Sequence, residues 1–253
     1  MTTKDNDGTA SFVYRFWLPD NSQREFAVGL EPSSLRLVCE KGSELPGWAR
    51  LDFHKCPNCT LDSRSVEYCP AAAGLVDLVE FFQNISSHEV VDVCVFENDR
   101  KHVKRTAVQH LVSSLAGIII SASACPVLGK MRPLIRSYVP FPTPVENVHR
   151  VVSLYLLEQH IVLKRGGEPD WGLKGLLNYF IEMEIVIGGL CRRLNSVRVD
   201  SGDACLNAIN EFNNLGILAR LAIEDEDFSA DAVFSEGSWA EDTDSTHNNK
   251  GVR

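Results

Sequence analysis

Cys56, Cys59 and Cys69 lie within a fourteen-residue span of the segment HKCPNCTLDSRSVEYCP, residues 54–70. Thiolate sulfur is a soft ligand that suits zinc, copper(I) and iron–sulfur clusters. A Cys-x-x-Cys pair such as CPNC bends the chain so that two sulfurs can face one ion. Nine residues separate Cys59 from Cys69, enough to loop back with a third sulfur. A tetrahedral site needs a fourth ligand. The candidates are His54, two residues before the pair, and the distant Cys125 in SACPVLG. Cys125 is preferred because it repeats the Cys-Pro context of Cys56 and Cys69, and His54 is the reserve. Proline after a cysteine removes an N–H and stiffens the loop. Cys-Pro is common beside iron–sulfur ligands and also occurs in zinc knuckles, so it does not choose the metal.

Two other readings compete. CPNC has the form of a thioredoxin-like redox pair, with Cys56 as nucleophile and Cys59 as resolver. That chemistry needs a helix starting at the first cysteine to depress its pKa, and the following TLDSRS is a poor helix start. Alternatively the cysteines are small buried hydrophobes. That reading suits Cys39 and Cys94, expected in strands, and Cys191 and Cys205, expected on helices.

The elements that must position these residues follow from periodicity. Residues 12–18 (FVYRFWL) and 25–30 (EFAVGL) are β-type runs around the turn formers Pro19, Asp20, Asn21 and Ser22, and read as a hairpin. Residues 35–39 alternate and offer a third strand. Pro70 opens a helix over residues 71–83, since its missing N–H has no intrahelical partner to lose. Residues 89–96 are a strand that residues 101–106 can join across Asn98 and Asp99. Helices are expected over residues 107–122, 146–163, 175–194 and 203–222, the second capped by Thr143 and the third by the loop at Asp170. In the last, Leu206, Ile209, Phe212, Leu215 and Leu218 form one apolar stripe.

The chain has 253 residues, 44% hydrophobic and 23% charged, the composition of a soluble globular protein. Of its net charge of −9, −7 falls in residues 224–253. That segment reads as a disordered acidic tail, which could dock a partner protein. The nearly neutral body lacks the basic footprint of a nucleic-acid binder. The N-terminus has no apolar secretory core, and the hydrophobic run at 107–126 is too short and Ser-rich for a membrane span. A cytoplasmic protein with no membrane partner is expected. In a reducing cytosol, clustered cysteines more often mean metal or catalysis than disulfides.

Other polar residues suggest no second centre. Lys130, Arg132, Arg136, His149 and Arg150 read as a solvated basic face, unless the Cys125 loop folds against the first cluster. Lys101, His102, Lys104 and Arg105 read as an exposed strand edge. His110 and His160 read as hydrogen-bonded core histidines. The chain carries no GxSxG, P-loop, Rossmann fingerprint or HExxH motif.

With CPNC at 56–59, Tyr68-Cys69-Pro70 and SASACP at 121–126 in hand, the chain resembles a family of uncharacterised bacterial proteins that share these elements. The likeness covers about residues 12 to 222. It implies no established activity, but it does imply that Cys125 belongs with the first three cysteines. The expected architecture is α+β. A small N-terminal antiparallel sheet (residues 1–50) and a Cys-rich connector with a mainly helical part (residues 51–223) pack as one unit, followed by the tail (residues 224–253). The expected function is a four-cysteine site, Cys56, Cys59, Cys69 and Cys125, holding zinc or an iron–sulfur cluster in a structural or sensory role.

Overall fold

Alternating apolar residues fold the N-terminal segment into a hairpin of β1 (Ala10–Trp17) and β2 (Gln23–Leu30), paired from Ala10↔Leu30 to Trp17↔Gln23. The computed structural model describes residues 10–38, 44–97, 99–197 and 203–224. A second hairpin, β3 (Val90–Glu97) and β4 (Arg100–Ala107), joins the first through β1, in register Phe12↔Glu97 to Trp17↔Asp92. The result is one antiparallel sheet of order β2-β1-β3-β4. This is larger than the two or three strands expected from the sequence. The proposed third strand at 35–39 shrinks to one bridge, Leu30↔Leu37, and Cys39 lies outside the described residues. The basic run 101–105 does occupy an edge strand.

Helices cover the sheet. In α1 (Pro70–Phe82), Phe82 stacks on Phe16 with centroids 5.6 Å apart, and Phe81 meets Phe26 edge-on at 5.2 Å. Such aromatic pairs add directional attraction to the burial of large apolar faces. In α2 (Val108–Ala122) all but three residues are buried, as a central core helix requires. Beside it runs a 3-10 segment, Leu128–Ser137, that the sequence had not suggested. Across this seam the hydroxyls of Tyr14, Ser114 and Tyr138 bond one another at 2.5 to 2.9 Å, satisfying three polar groups inside the core. Among the described residues, no helix is long and apolar enough to cross a membrane.

The remaining helices are α3 (Pro144–Lys164), α4 (Lys174–Ser196) and α5 (Ala204–Glu224). The expected tail therefore begins where α5 ends, and residues 225–253 lie outside the described part. Asp170 takes up the start of α4 as expected, its carboxylate accepting the Gly175 amide at 2.7 Å and the Tyr155 hydroxyl at 2.9 Å. Thr143 and Glu146 close a reciprocal capping box on α3, with bonds of 3.2 and 2.7 Å. Thr143→Ala is expected to cost about 1 kcal/mol, a fall of about 2–4 °C in melting temperature. Thr143→Ser should retain the cap, and thermal denaturation checks both.

Candidate metal centre

The cysteine loop is closed at its neck by backbone pairing. Leu51 N–H donates to Glu67 O, Cys69 N–H donates to Ala49 O (both 2.8 Å), and Arg50 and Tyr68 form a bridge. That neck returns the chain leaving Cys59 to Cys69 at the head of α1. In CPNC, the Cys59 amide donates to Cys56 O at 3.0 Å, making the tight turn that sets two thiols side by side. Cys69 is the N-cap of α1, followed by Pro70 at the first helical position. Pro70 has no N–H and the Cys69 amide is given to Ala49 O, so the amides of Ala71 and Ala72 and the positive end of the helix dipole favour negative charge there.

Cys125 arrives from the end of α2. Its thiol accepts the backbone amides of Val127 and Leu128, donors that favour a thiolate. Burial nonetheless pushes its pKa up. Cys56 is pushed up to about 11, first by burial, then by the neighbouring thiols Cys69 and Cys59 and more weakly by Cys125. Cys56 and Cys125 thus each feel Cys59 and Cys69, and all seven described cysteines are free. The structure brings Cys56, Cys59, Cys69 and Cys125 into one neighbourhood. Among the described residues, no three His, Cys, Asp or Glu groups stand at metal-binding spacing as the side chains lie. His54 does not join them. It is exposed, with its ring edge-on to Phe53 at 4.6 Å and its backbone in the left-handed region at φ 48°.

The back wall is α4, which the sequence reading did not connect with the cysteines. Tyr179, Glu182, Val186, Gly189 and Arg193 recur at steps of three and four and so share a face. Asn58 of CPNC donates to Glu182 O at 3.0 Å, and the Cys56 thiol points to Val186 O at 3.9 Å. Gly189 makes this approach possible, since a Cβ there would sit 2.6 Å from Cys56 Sγ. Gly189→Ala must therefore displace Cys56. We expect it to weaken any metal bound by the thiols at least tenfold while the helical circular dichroism stays unchanged. A metal-competition titration reads the first and a spectrum the second. The mid-helix pair Gly188-Gly189 was the available sequence signal, because glycine in a helix interior costs about 1 kcal/mol against alanine.

Arg193 is the largest fully buried side chain, 1% exposed. It donates to the carbonyls of Trp48, Arg50 and Leu51 at 2.8, 2.6 and 3.1 Å, gripping the neck of the cysteine loop. Among the described residues no carboxylate pairs with it, and its Nε is buried without a partner. Its charge instead favours ionisation of Cys56. Tyr179 presents a second buried orphan, a hydroxyl without a partner beside Cys125. Lys130 lies over the Tyr179 ring at 5.7 Å and bridges Glu182 at 3.2 Å, so one member of the expected basic face does reach this region. Arg132, Arg136 and Arg150 are bound to the carbonyls of Ser123, Ser33 and Leu134, respectively.

The other cysteines stand apart in role. Cys94 is buried in β3, Cys191 donates to Asn210 at 3.2 Å, and Cys205 points to Leu78 O at 3.7 Å. His110 is hydrogen-bonded to Glu211, whereas His160 is exposed on α3 rather than in the core. Neither a curated protein nor a solved structure matches the chain. A family model covers most of it: residues 12–235 match the domain of unknown function DUF6901, and the chain belongs to that family.

Proposed function

We propose that Cys56, Cys59, Cys69 and Cys125 bind a metal centre, zinc or an iron–sulfur cluster, in a structural or sensory role. The observation that carries this is the buried Arg193. An unpaired buried cation is costly unless negative charge faces it, and a cationic metal held by four thiolates carries net negative charge. The partnerless Tyr179 hydroxyl and the amides aimed at Cys125 are further donors suited to thiolate sulfur. A metal ion deprotonates its thiol ligands outright, so the raised pKa values of Cys56 and Cys125 suit a site that waits for a cation. They suit a redox nucleophile poorly, because that chemistry depends on a depressed pKa.

Binding asks the sulfurs to draw together. At metal–sulfur bonds of about 2.3 Å, tetrahedral ligands stand about 3.8 Å apart. Free cysteines throughout the described chain fit residence in the reducing cytoplasm. The test is metal analysis of protein purified without oxygen. About one zinc per chain supports the mononuclear site, and a brown preparation with a broad visible absorption band supports the cluster. A preparation essentially free of transition metal, with a reactive Cys56 on thiol titration, sinks the proposal in favour of a thiol oxidoreductase.

A further inference from the structure

A cavity of about 460 Å³ opens between β4, α2, α3, α4 and α5. No cysteine lines it, so it owes nothing to the metal proposal. Its size falls within the range of small-molecule pockets, roughly 300–1,000 Å³. One stripe of α2 forms the floor, His110, Ser113, Ser114, Gly117, Ile118 and Ser121. At the helical rise per residue this stripe is about 16 Å long.

The two ends of the floor differ in chemistry. The 3-10 segment runs back along α2, since Arg132 bonds Ser123 O and Tyr138 bonds Ser114 O. Met131 and Leu134 therefore lie toward the Ser121 end, joined by Phe180 and Met183 from α4. Toward His110 the wall holds Lys104 and Thr106 of β4, Asn147 and Arg150 of α3, and Glu211 of α5. Arg150 gives Nε and one Nη to the carbonyls of Ser137 and Leu134, each at 3.0 Å, and Lys104 rests over the Phe141 ring at 5.3 Å. Among the described residues neither is ion-paired. Three carboxylates stand nearby: Glu211 holds His110, Glu146 closes the cap of α3 while facing Lys104 and Arg150, and the buried Glu97 of β3 faces Arg150. The wall toward His110 carries the cations, with Arg150 reaching the Leu134 carbonyl at its border, and the wall toward Ser121 is mainly apolar, with Met131, Phe180 and Met183.

We propose that this cavity binds a free medium-chain carboxylic acid. The carboxylate sits at Lys104 and Arg150, and the chain lies along α2 against Leu134, Phe180 and Met183. A cation that still has free donors is the natural partner for a carboxylate, while the apolar end rewards each methylene removed from water.

Isothermal titration of the full chain with laurate, octanoate and 1-dodecanol, below their aggregation limits, tests this. Laurate should bind saturably at one site. Octanoate should bind at least tenfold more weakly, having less chain to bury, and dodecanol more weakly than laurate for want of a charge. Lys104→Glu changes an exposed edge residue and leaves the core intact. It should weaken laurate at least tenfold and leave dodecanol unchanged. Absence of saturable laurate binding overturns the proposal. So does dodecanol binding as tightly as laurate, octanoate binding equally well, or a Lys104→Glu variant that binds laurate like the parent.

Discussion

On the proposed metal centre, replacing Cys56 with serine is expected to abolish metal binding and lower the melting temperature by about 8–16 °C. A ligand that binds only the native state stabilises it by about 4 kcal/mol when its free concentration is a thousand times Kd. For a domain of this size, each kcal/mol corresponds to about 2–4 °C. Cys56 is the thiol on which the others converge, touching the fields of Cys69, Cys59 and Cys125 as well as Arg193. Serine keeps the volume and removes the soft ligand, so loss of packing contributes little. The sheet and the helices are built by packing outside the cysteine loop, so the far-ultraviolet spectrum should stay helical. Differential scanning calorimetry with and without chelator checks the result. If chelator shifts the parent's melting by less than 2 °C, about 1 kcal/mol at most, the centre is not structural. Cys94→Ser is the control, since Cys94 lies in β3 with no part in the site.

Arg193→Ala is expected to cost about 3–5 kcal/mol, the scale on which removing one partner from a buried polar network destabilises. The loss has two sources. Three carbonyls at the neck of the cysteine loop lose their donors, and each buried orphan costs about 1–3 kcal/mol. Cys56 also loses a buried cation that favours its ionisation. Arg193→Lys separates the two contributions. Lysine keeps the charge but lacks the planar fork that reaches several acceptors at once. The lysine variant should therefore retain metal affinity better than it retains stability. Chemical denaturation and metal competition, measured on the same preparations, read the two quantities. Equal metal affinity in Arg193→Ala and the parent protein would contradict the charge argument.

Most elements were legible in the sequence because their signals are local. Pro70, Thr143 and Asp170 marked the starts of helices, and the turn residues 19–22 marked a hairpin. Nothing local linked the two hairpins, because β1 pairs with β3 through a register that only the folded sheet defines. The 3-10 segment Leu128–Ser137 escaped for another reason: Gly129 and Pro133 interrupt any period of 3.6, so it resembled a loop. In the proposed site, the thiols stand out through CPNC and Cys-Pro. Gly189 and Arg193 did not, since a glycine and an arginine on a helix acquire these roles only when that helix packs against a particular loop. His54 was a reasonable reserve by distance along the chain. The backbone turn at φ 48° leaves its ring on the exposed side.

The strand order β2-β1-β3-β4 has a consequence for synthesis. Once β1 has left the ribosome, its other side waits for a partner ending at Glu97, 80 residues beyond Trp17. At translation rates of about 5–20 residues per second, that is roughly 4–16 s with an open edge, the condition under which strands recruit the wrong neighbours. α1 is made within this interval. Its Phe81 and Phe82 already have Phe16 and Phe26 to pack on, so the hairpin and α1 can shield one face before β3 arrives. The neck that presents Cys69 to α1 thus belongs to the earliest unit able to form, and Cys125 and α4 join it only after the sheet has closed.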